Sequence, residues 1–330
     1  MIRPQSMMFT LFGDYIIYRG EEVWVGTLIQ IMAQFGLSEQ AVRSALSRMT
    51  RGGWLRGRQV GNRSFYSLTP RGKRLLESGR RRIFVRRGGE WDGRWRILVY
   101  SIPERQREVR EALRKQLTWL GFGPLGSGTW VTPHRLDEEV AALVETLGVR
   151  DRVELFEAAH VGFGDAQALA RRCWDLDALN TRYRAFVEHW APRQAALQER
   201  LARGDEVPPA ECFVERFLLI HEYRRFFFLD PELPPALLPA DWQGAAAAQL
   251  FHAYHTLLGE RANAYLDSVW EDPPTGRKRG PRQAVPEPAA VELLAASYRA
   301  APHTNGVLGG PGSVAADGAT GRPLSATAEG

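Results

Sequence analysis

Two helical patterns followed by an alternating strand pattern fill residues 25–69, and this order constrains the fold more than any other feature of the chain. Apolar residues recur at helical spacing over 25–35 until Gly36, a residue that favours the end of a helix. Ser38 then offers an N-cap for a second helix, with Glu39 in its first turn. The short connection between the two patterns predicts a helix-turn-helix.

The second predicted helix has one apolar and one polar face. Its apolar residues are Val42, Ala45, Leu46 and Met49. Arginine suits guanine or phosphate, glutamine suits adenine and serine suits either, so we predict DNA contacts on the polar side. The predicted contacts are Ser38, Gln40, Arg43, Ser44, Ser47, Arg48 and Arg51. A solvated surface helix would show the same outward residues, so the pattern by itself fits both interpretations.

A strand, a turn and a second strand follow that helix. The runs 54–60 and 64–69 flank a Gly-Asn pair at 61–62, which is typical of a hairpin. A hairpin beside a recognition helix supplies phosphate or minor-groove contacts. We assign these contacts to three arginines around the turn: Arg56, Arg58 and Arg63. The sequence therefore predicts a winged helix over residues 8–79, ending in a short helix at 71–77.

The formal net charge of +5, from 43 Lys and Arg against 38 Asp and Glu, hides an uneven distribution. The net charge is +10 over residues 1–90, −1 over 91–162, −6 over 163–272 and +2 over 273–330. The first block ends in an arginine-rich connector at 80–82 and 86–87. We take these blocks as three domains and a tail. Such asymmetry is typical of a nucleic-acid-binding end joined to a regulatory or assembly end, although surface charge also varies between domains by chance.

Several motifs, in one order, resemble a known family. They are the runs 10–15, 42–49, 53–55 and 64–69, continued by 123–133 and 217–229. Together they are similar to the PaaX-like repressors of bacterial phenylacetic acid catabolism, over about residues 8–270. The resemblance implies a repressor whose inducer is an acyl-CoA, phenylacetyl-CoA.

Residues 95–158 show the order strand, helix, strand, strand, helix, strand, which predicts a ferredoxin-like βαββαβ domain. The resemblance implies the same fold, shared with small nucleases of CRISPR adaptation that place an aspartate after the first strand. Here that position holds 99–103, Val-Tyr-Ser-Ile-Pro, without a carboxylate, so we favour a structural and pairing role over hydrolysis. Glycines 121, 123 and 126 match GxGxxG, but they follow a helix, so we assign them to a helix C-cap and a hairpin.

Residues 165–200, 212–229 and 244–270 are helical by periodicity, and the second of these segments is rich in aromatic residues. Most of its aromatic side chains fit an ordinary core, with Phe213, Phe217, Ile220 and Arg224 on the buried face. Cations beside apolar surface also suit the phosphates and acyl group of an acyl-CoA. Our assignment of effector contacts is His221, Tyr223, Arg224 and Arg225. His252 and His255 are spaced like metal ligands, but no third ligand joins them at helical spacing, so we predict no metal site.

The rest of the chain adds three expectations. Residues 273–330 are rich in Pro, Gly, Ala and Ser, which predicts a disordered tail with a transient helix near 289–299 and a basic cluster at 277–279. No apolar run is long enough to span a membrane, and no secretory signal is evident. Two distant cysteines without a disulfide pattern fit a reduced compartment, so we expect a cytoplasmic protein.

We therefore expect an α+β, multidomain, ligand-responsive repressor that is not an enzyme and needs no cofactor. One winged helix per chain covers one half-site, which predicts a homodimer on a palindromic double-stranded DNA operator. Two alternatives stay open at this stage. The first is an enzyme, either a metal-dependent nuclease or one that acts on acyl-CoA, and the second is an adaptor that binds protein through the winged helix.

Overall fold

A computed structural model describes residues 3–19, 22–84 and 91–271 of the chain. These residues form an N-terminal unit (3–84), a middle unit (91–159) and a helical unit (166–271). The predicted disordered tail, its transient helix and its basic cluster lie outside the described residues, as do the arginines at 86–87 of the predicted connector.

The N-terminal unit contains the predicted helices and hairpin. Its elements are α1 (Pro4–Asp14), β1 (Val23–Trp24), α2 (Val25–Ala33), α3 (Glu39–Arg51), β2 (Leu55–Val60), β3 (Arg63–Leu68) and α4 (Pro70–Phe84). The strands form an antiparallel sheet in the order β1-β3-β2. Ser38 caps α3 as predicted, since its Oγ accepts a hydrogen bond from the Ala41 amide at 3.3 Å.

Three features of this unit were not predicted. Helix α1 was not predicted because its residues Met7–Asp14 are all buried, and a helix that is buried on every side has no periodic apolar stripe. Strand β1 has only two residues, too few for an alternating pattern. The predicted closing helix at 71–77 is too short, because α4 continues to Phe84 through arginines 80–82; arginine is a good helix former without any apolar pattern.

The middle unit has the predicted strand and helix order. Its elements are β4 (Arg94–Tyr100), α5 (Arg107–Leu120), β5 (Gly123–Gly126), β6 (Thr129–Thr132), α6 (Asp137–Leu147) and β7 (Val153–Ala159). The sheet is antiparallel with the order β5-β6-β4-β7. On β4, Ile97 pairs with Val131 of β6 and with Phe156 of β7. Helices α5 and α6 cover one face of this sheet around Leu98 and Trp130.

The glycines of the GxGxxG match have the predicted structural roles. Gly121 ends α5 in the left-handed conformation, with φ of 89°. Gly123 and Gly126 bound β5, which forms a hairpin with β6. A Cβ on Gly123 would lie 2.6 Å from the Trp174 ring and 2.8 Å from the Cβ of Cys173, so this glycine lets the segment at residues 173–174 approach the strand.

The helical unit contains four helices: α7 (Ala166–Cys173), α8 (Leu176–Ala202), α9 (Pro209–Tyr223) and α10 (Gly244–Val269). The single helix predicted over 165–200 is wrong, because the chain breaks after Cys173 and Asp175 caps a new helix by accepting from the Ala178 amide. The side chains of α7 pack on the open face of the middle sheet, against Trp95 and Val131.

The helix predicted over 212–229 is also wrong at its end. Helix α9 stops at Tyr223, and Phe226–Phe228 forms a separate 3-10 turn. The reason is that three successive phenylalanines pack in different directions. Phe226 stacks on Tyr183 with 4.0 Å between ring centroids, whereas Phe227 meets Trp119 of the middle unit at 5.3 Å. Successive residues on one face of an α-helix cannot point in both of these directions.

One hydrophobic core joins the N-terminal unit to the helical unit. The core of α1, α2 and α3 continues without a break into Phe213 and Phe217 of α9 and into Leu266 of α10. The aromatic rings of Tyr15 and Phe213 lie 5.3 Å apart, centroid to centroid. The N-terminal unit is therefore packed against α9 and α10 through its own interior.

Gly123→Ala tests the packing of α7 on the middle sheet. We expect the substitution to lower the free energy of unfolding by about 1–3 kcal/mol, because the added methyl overlaps Cys173 and Trp174. The measurement is urea unfolding followed by tryptophan fluorescence. Gly126→Ala is the matched control in the same strand, since a Cβ there meets nothing within 4 Å. Equal effects of the two substitutions would contradict the packing argument.

Candidate nucleic-acid interface

Helix α3 presents a polar face to solvent. Its four predicted apolar residues are buried against α1 and α2. All seven residues predicted as DNA contacts around this helix are exposed: Ser38, Gln40, Arg43, Ser44, Ser47, Arg48 and Arg51. A helix held on its apolar side with arginine, glutamine and serine outward can enter a major groove.

The arginines of α3 differ in their partners. Arg43 forms an exposed ion pair with Glu39, one helical turn away, at 2.7 Å. Arg48 and Arg51 make no ion pair with any residue that the structure describes. Both lie in the last turn of α3. Their guanidinium groups are the cations on this face that can meet an anion without first leaving a carboxylate.

The hairpin arginines are exposed, but the structure spreads them along the hairpin. In the strand register Arg56 lies opposite Ser67 and Arg58 opposite Phe65, so only Arg63 borders the turn. Each arginine has a partner. Arg56 donates to the Ser67 hydroxyl at 2.9 Å, and Arg58 makes a two-pronged contact with Glu22 at 2.5 and 2.9 Å. The hydrogen bond from Arg58 lowers the pKa of Glu22.

Arg63, at the hairpin turn, connects the N-terminal unit to the end of the helical unit. Its guanidinium lies 2.8 Å from the carboxylate of Glu271 and 4.6 Å from the centroid of the Trp24 ring. The pair is half-exposed, so solvent screens it and a phosphate can replace the carboxylate.

A buried charged cluster lies between α1, α9 and α10. Arg216 of α9 donates to Asp14 of α1 at 2.9 Å, and Nε2 of His255 of α10 lies 3.4 Å from the other carboxylate oxygen. The side chains of Asp14 and Arg216 are 1% and 3% exposed. Burial alone raises the pKa of Asp14, but Arg216 and His255 outweigh it, so the pKa lies below its usual value. Burial and Arg216 lower the pKa of His255, and Asp14 opposes them.

The four residues assigned to an effector divide among three environments. His221 and Arg224 face α1: His221 Nδ1 lies 2.9 Å from the Thr10 hydroxyl, and Arg224 contacts the Ser6 hydroxyl at 2.5 Å. Tyr223 turns into the helical core, where it stacks on Phe251, and Arg225 is exposed. Burial and then Arg224 lower the pKa of His221 to about 2. Arg224 is fully buried, and burial lowers its pKa too.

Two absences apply to the described residues only. Within 3–19, 22–84 and 91–271 no group of three or more His, Cys, Asp or Glu side chains is placed to hold a metal ion. The His252 and His255 pair is not joined by a third ligand there, and His255 belongs to the Asp14 cluster. No helix in the same residues is both long and apolar enough to cross a bilayer.

Comparison with known proteins gives matches along nearly the whole chain. Three family models match in order: "PaaX-like protein" over residues 3–72, "PaaX protein central Cas2-like domain" over 88–170 and "PaaX-like protein C-terminal domain" over 174–268. The Transcriptional repressor PaaX of Escherichia coli strain K12 is 34% identical over 269 residues, which are 81% of this chain and 84% of that protein. The chain belongs to the PaaX-like family.

A solved structure is also similar to this PaaX-family chain. An uncharacterized protein from Mycobacterium tuberculosis superposes with a TM-score of 0.52 at 25% sequence identity. The match covers 81% of this chain and 98% of the other. It shows that a second protein has a similar fold.

Sequence reasoning missed the residues that connect the units of this PaaX-family chain. No pattern in the sequence singles out Asp14 or Arg216 as a site residue. Arg19 was also missed; it donates to the Asn263 side chain at 2.7 Å and lies 3.5 Å from Asp267. A charged residue within an apolar segment was the signal that could have found them. Such a residue is buried only when it is paired, so its position indicates a buried ion pair.

Asp14→Asn tests the buried cluster. We expect the substitution to lower the free energy of unfolding at pH 7 by about 3–5 kcal/mol, because a buried guanidinium loses the negative charge beside it. Glu39→Gln is the control on an exposed ion pair and should cost less than about 1 kcal/mol. Both values come from urea unfolding.

The same pair of proteins gives a pH test. The pKa of Asp14 in the folded chain lies below its usual 3.8, so its contribution is complete above that pH and is lost as the pH falls through the lower value. The difference in stability between the original chain and Asp14→Asn should therefore hold from pH 7 to pH 5 and shrink below pH 3.8. A difference that stays constant into strong acid would contradict the assignment.

Proposed function

We propose that this chain is a DNA-binding transcriptional repressor of a phenylacetate catabolic operon. The observation that carries the proposal is the exposed polar face of α3, held by buried apolar residues on its other side. A relative described as a transcriptional repressor, 34% identical over most of both chains, supports the same function. A repressor acts on the chromosome, so the proposal includes a cytoplasmic location and a binding role in place of catalysis.

The proposal assigns one task to each unit. Residues 1–90 form a winged helix-turn-helix that binds DNA, 91–162 a ferredoxin-like domain, and 163–272 a helical effector and assembly domain. The sheet order β5-β6-β4-β7 supports the second assignment, because it places the first and third strands of the unit at the centre. The family models change close to these boundaries, between residues 72 and 88 and between 170 and 174.

In the DNA complex α3 occupies the major groove. Gln40, Arg43, Ser44 and Ser47 reach base edges, and Arg48 and Arg51 reach base edges or phosphates. The hairpin lies alongside, where Arg56, Arg58 and Arg63 meet the sugar-phosphate backbone. Arg58 and Arg63 must then exchange Glu22 and Glu271 for phosphate, an exchange that exposed, screened pairs permit.

The effector is an acyl-CoA, with phenylacetyl-CoA the candidate that the family resemblance provides. Arg225 is exposed and can meet a phosphate, whereas His221 and Arg224 are in contact with α1. A ligand that draws Arg224 or His221 toward itself weakens their contacts with Ser6 and Thr10. The N-terminal unit then shifts relative to α9. A coupling free energy of about 1–3 kcal/mol would lower operator affinity about 5-fold to 150-fold.

Two copies acting on one operator complete the proposal. Each chain has one α3, and a two-fold symmetric dimer matches a palindromic operator whose half-sites are spaced by about one or two turns of roughly 10.5 base pairs. A movement of the N-terminal units on effector binding changes the distance between the two α3 helices, and the dimer no longer fits both half-sites.

DNA binding is tested with duplexes that the full-length protein selects from a randomised library. Arg43→Ala and Arg48→Ala should each weaken binding to a selected duplex about 5-fold to 150-fold, because each loses a base or phosphate contact worth about 1–3 kcal/mol. Gel-shift titration measures the loss. Arg114→Ala, at an exposed arginine on α5, is the control and should bind normally.

Salt dependence gives an independent test of the interface. The logarithm of the affinity for a selected duplex should fall linearly with the logarithm of the salt concentration. The slope should be smaller for Arg51→Ala than for the original chain, because the variant has one arginine fewer to contact phosphate. Failure to select any duplex, or normal affinity in both the Arg43 and Arg48 variants, would refute the α3 interface.

Effector binding is tested by thermal unfolding with phenylacetyl-CoA, coenzyme A and phenylacetate. Phenylacetyl-CoA should raise the midpoint and lower DNA affinity, and free phenylacetate should do neither, because only the thioester supplies both phosphates and an apolar group. Arg225→Ala should weaken phenylacetyl-CoA binding about 10-fold, because it removes a hydrogen-bonded charge. Arg203→Ala is the control, because Arg203 is an exposed arginine directly after α8 that pairs with Asp205. An unchanged midpoint with phenylacetyl-CoA would refute the effector assignment.

A further inference from the structure

The C-terminal end of helix α10 is fixed to the N-terminal unit. Arg19 of that unit donates to the side chain of Asn263 at 2.7 Å and lies 3.5 Å from Asp267. Trp270, which directly follows α10, is 8% exposed and packs in the hydrophobic core of α1, α2 and α3. The chain therefore leaves its last helix at the surface of the N-terminal unit.

Glu271 places this end of the chain beside the hairpin arginines. Its carboxylate lies 2.8 Å from the guanidinium of Arg63. In the strand register Arg58 of β2 lies opposite Phe65 of β3. Arg56 and Arg63 each lie two residues before one member of that pair, so the three arginines share one face of the sheet. The chain thus continues from Glu271 at the arginine-bearing face of the hairpin.

The sequence that follows this point is basic. Between Asp272 and Glu287 it contains four cationic residues and no acidic residue to neutralise them. The cationic residues are Arg277, Lys278, Arg279 and Arg282, and Gly280 and Pro281 lie among them. We call residues 277–282 the basic arm. The three matching family models end by residue 268, so none of them includes the arm.

The basic arm is within reach of DNA bound at the hairpin. An extended chain spans at most about 3.3–3.6 Å per residue, so Arg277 can lie up to about 20 Å from Glu271, and Arg282 up to about 40 Å. One turn of DNA is about 34–36 Å long. The arm can therefore follow a duplex for up to about one turn beyond the hairpin.

We propose that the basic arm binds DNA beside the half-site that α3 and the hairpin occupy. Its arginines lie in the minor groove and on the phosphates that border it, because the negative potential of that groove attracts arginine and short basic arms bind there in other DNA-binding proteins. Gly280 lets the backbone approach the duplex closely. This inference rests on the proposed function, since α3 and the hairpin hold the DNA that the arm meets.

The first experiment removes two charges from the arm of the full chain. The double variant Arg277→Ala, Arg279→Ala should bind a selected duplex about 10-fold more weakly in a gel-shift titration. The slope of the logarithm of affinity against the logarithm of salt concentration should be smaller by about 1.8, because each lost phosphate contact contributes about 0.9.

The matched control removes the same charge further along the same tail. The double variant Arg299→Ala, Arg322→Ala should bind with the affinity and salt slope of the original chain, because neither residue belongs to the arm. Equal effects of the two double variants, whether both bind normally or both bind weakly, would overturn the proposal.

DNA cleavage from a tethered reagent locates the arm. Thr275→Cys carrying an iron-EDTA group should cut a selected duplex within about one turn of the half-site that α3 protects. Cys173 and Cys212 are buried, so the original chain treated with the same reagent is the blank. Ser325→Cys, far from Glu271 in the sequence, should give no localised cleavage. Cleavage from Thr275→Cys without a fixed position would overturn the placement of the arm.

The same titrations separate failure of this inference from failure of the proposed function. If the Arg277 and Arg279 double variant keeps the affinity and salt slope of the original chain, the arm makes no DNA contact and the repressor proposal stands. If this variant loses DNA binding while Arg43→Ala and Arg48→Ala bind normally, the arm stands and the α3 interface is rejected. A chain that binds no DNA refutes both.

Discussion

The buried ion pair between Asp14 and Arg216 is the interaction on which the relation between the units depends. Removing two charges from water costs several kcal/mol for each, so such a pair is stable only when the partners are held in good geometry. Here α1 provides the carboxylate, and α9 and α10 provide Arg216 and His255. If α1 moved away from α9, the charges would be left unpaired in an apolar core. The pair therefore opposes movement of α1 away from α9 and α10.

The packing around that pair has the same effect. Phe213, Phe217 and Leu266 complete the hydrophobic core that begins in α1, α2 and α3. The helix proposed to enter DNA is thus built on a core shared with the helices proposed to sense an effector. Direct contacts join the two units: Ser6 and Thr10 of α1 contact α9 and the residue that follows it, and Arg63 pairs with Glu271 at the far end. These contacts are the physical route by which an effector would reach DNA affinity.

Much of the fold was predictable where local patterns are strong. Helix α3, its Ser38 cap and its exposed face follow from spacing of 3.6 residues per turn, and the hairpin follows from alternation around a Gly-Asn turn. The order of strands and helices in the middle unit was predicted for the same reason. The exposure of the predicted DNA contacts was predictable too, whereas their pairing was not. Arg58 meets Glu22 across 36 positions of sequence and Arg63 meets Glu271 across 208, and no local pattern reports such distances.

Prediction failed where the environment of a residue comes from distant parts of the chain. Helix α9 ends at Tyr223 because Phe226 and Phe227 pack on residues of different units, and α1 shows no stripe because partners surround it. The sequence by itself determined the class of fold, the polar face of α3 and the family. Only the tertiary structure decided that Asp14, Arg216 and His255 meet, that His221 and Arg224 face α1, and that β7 is left open at the edge of its sheet. Burial and pairing depend on contacts between distant segments, and local sequence does not contain them.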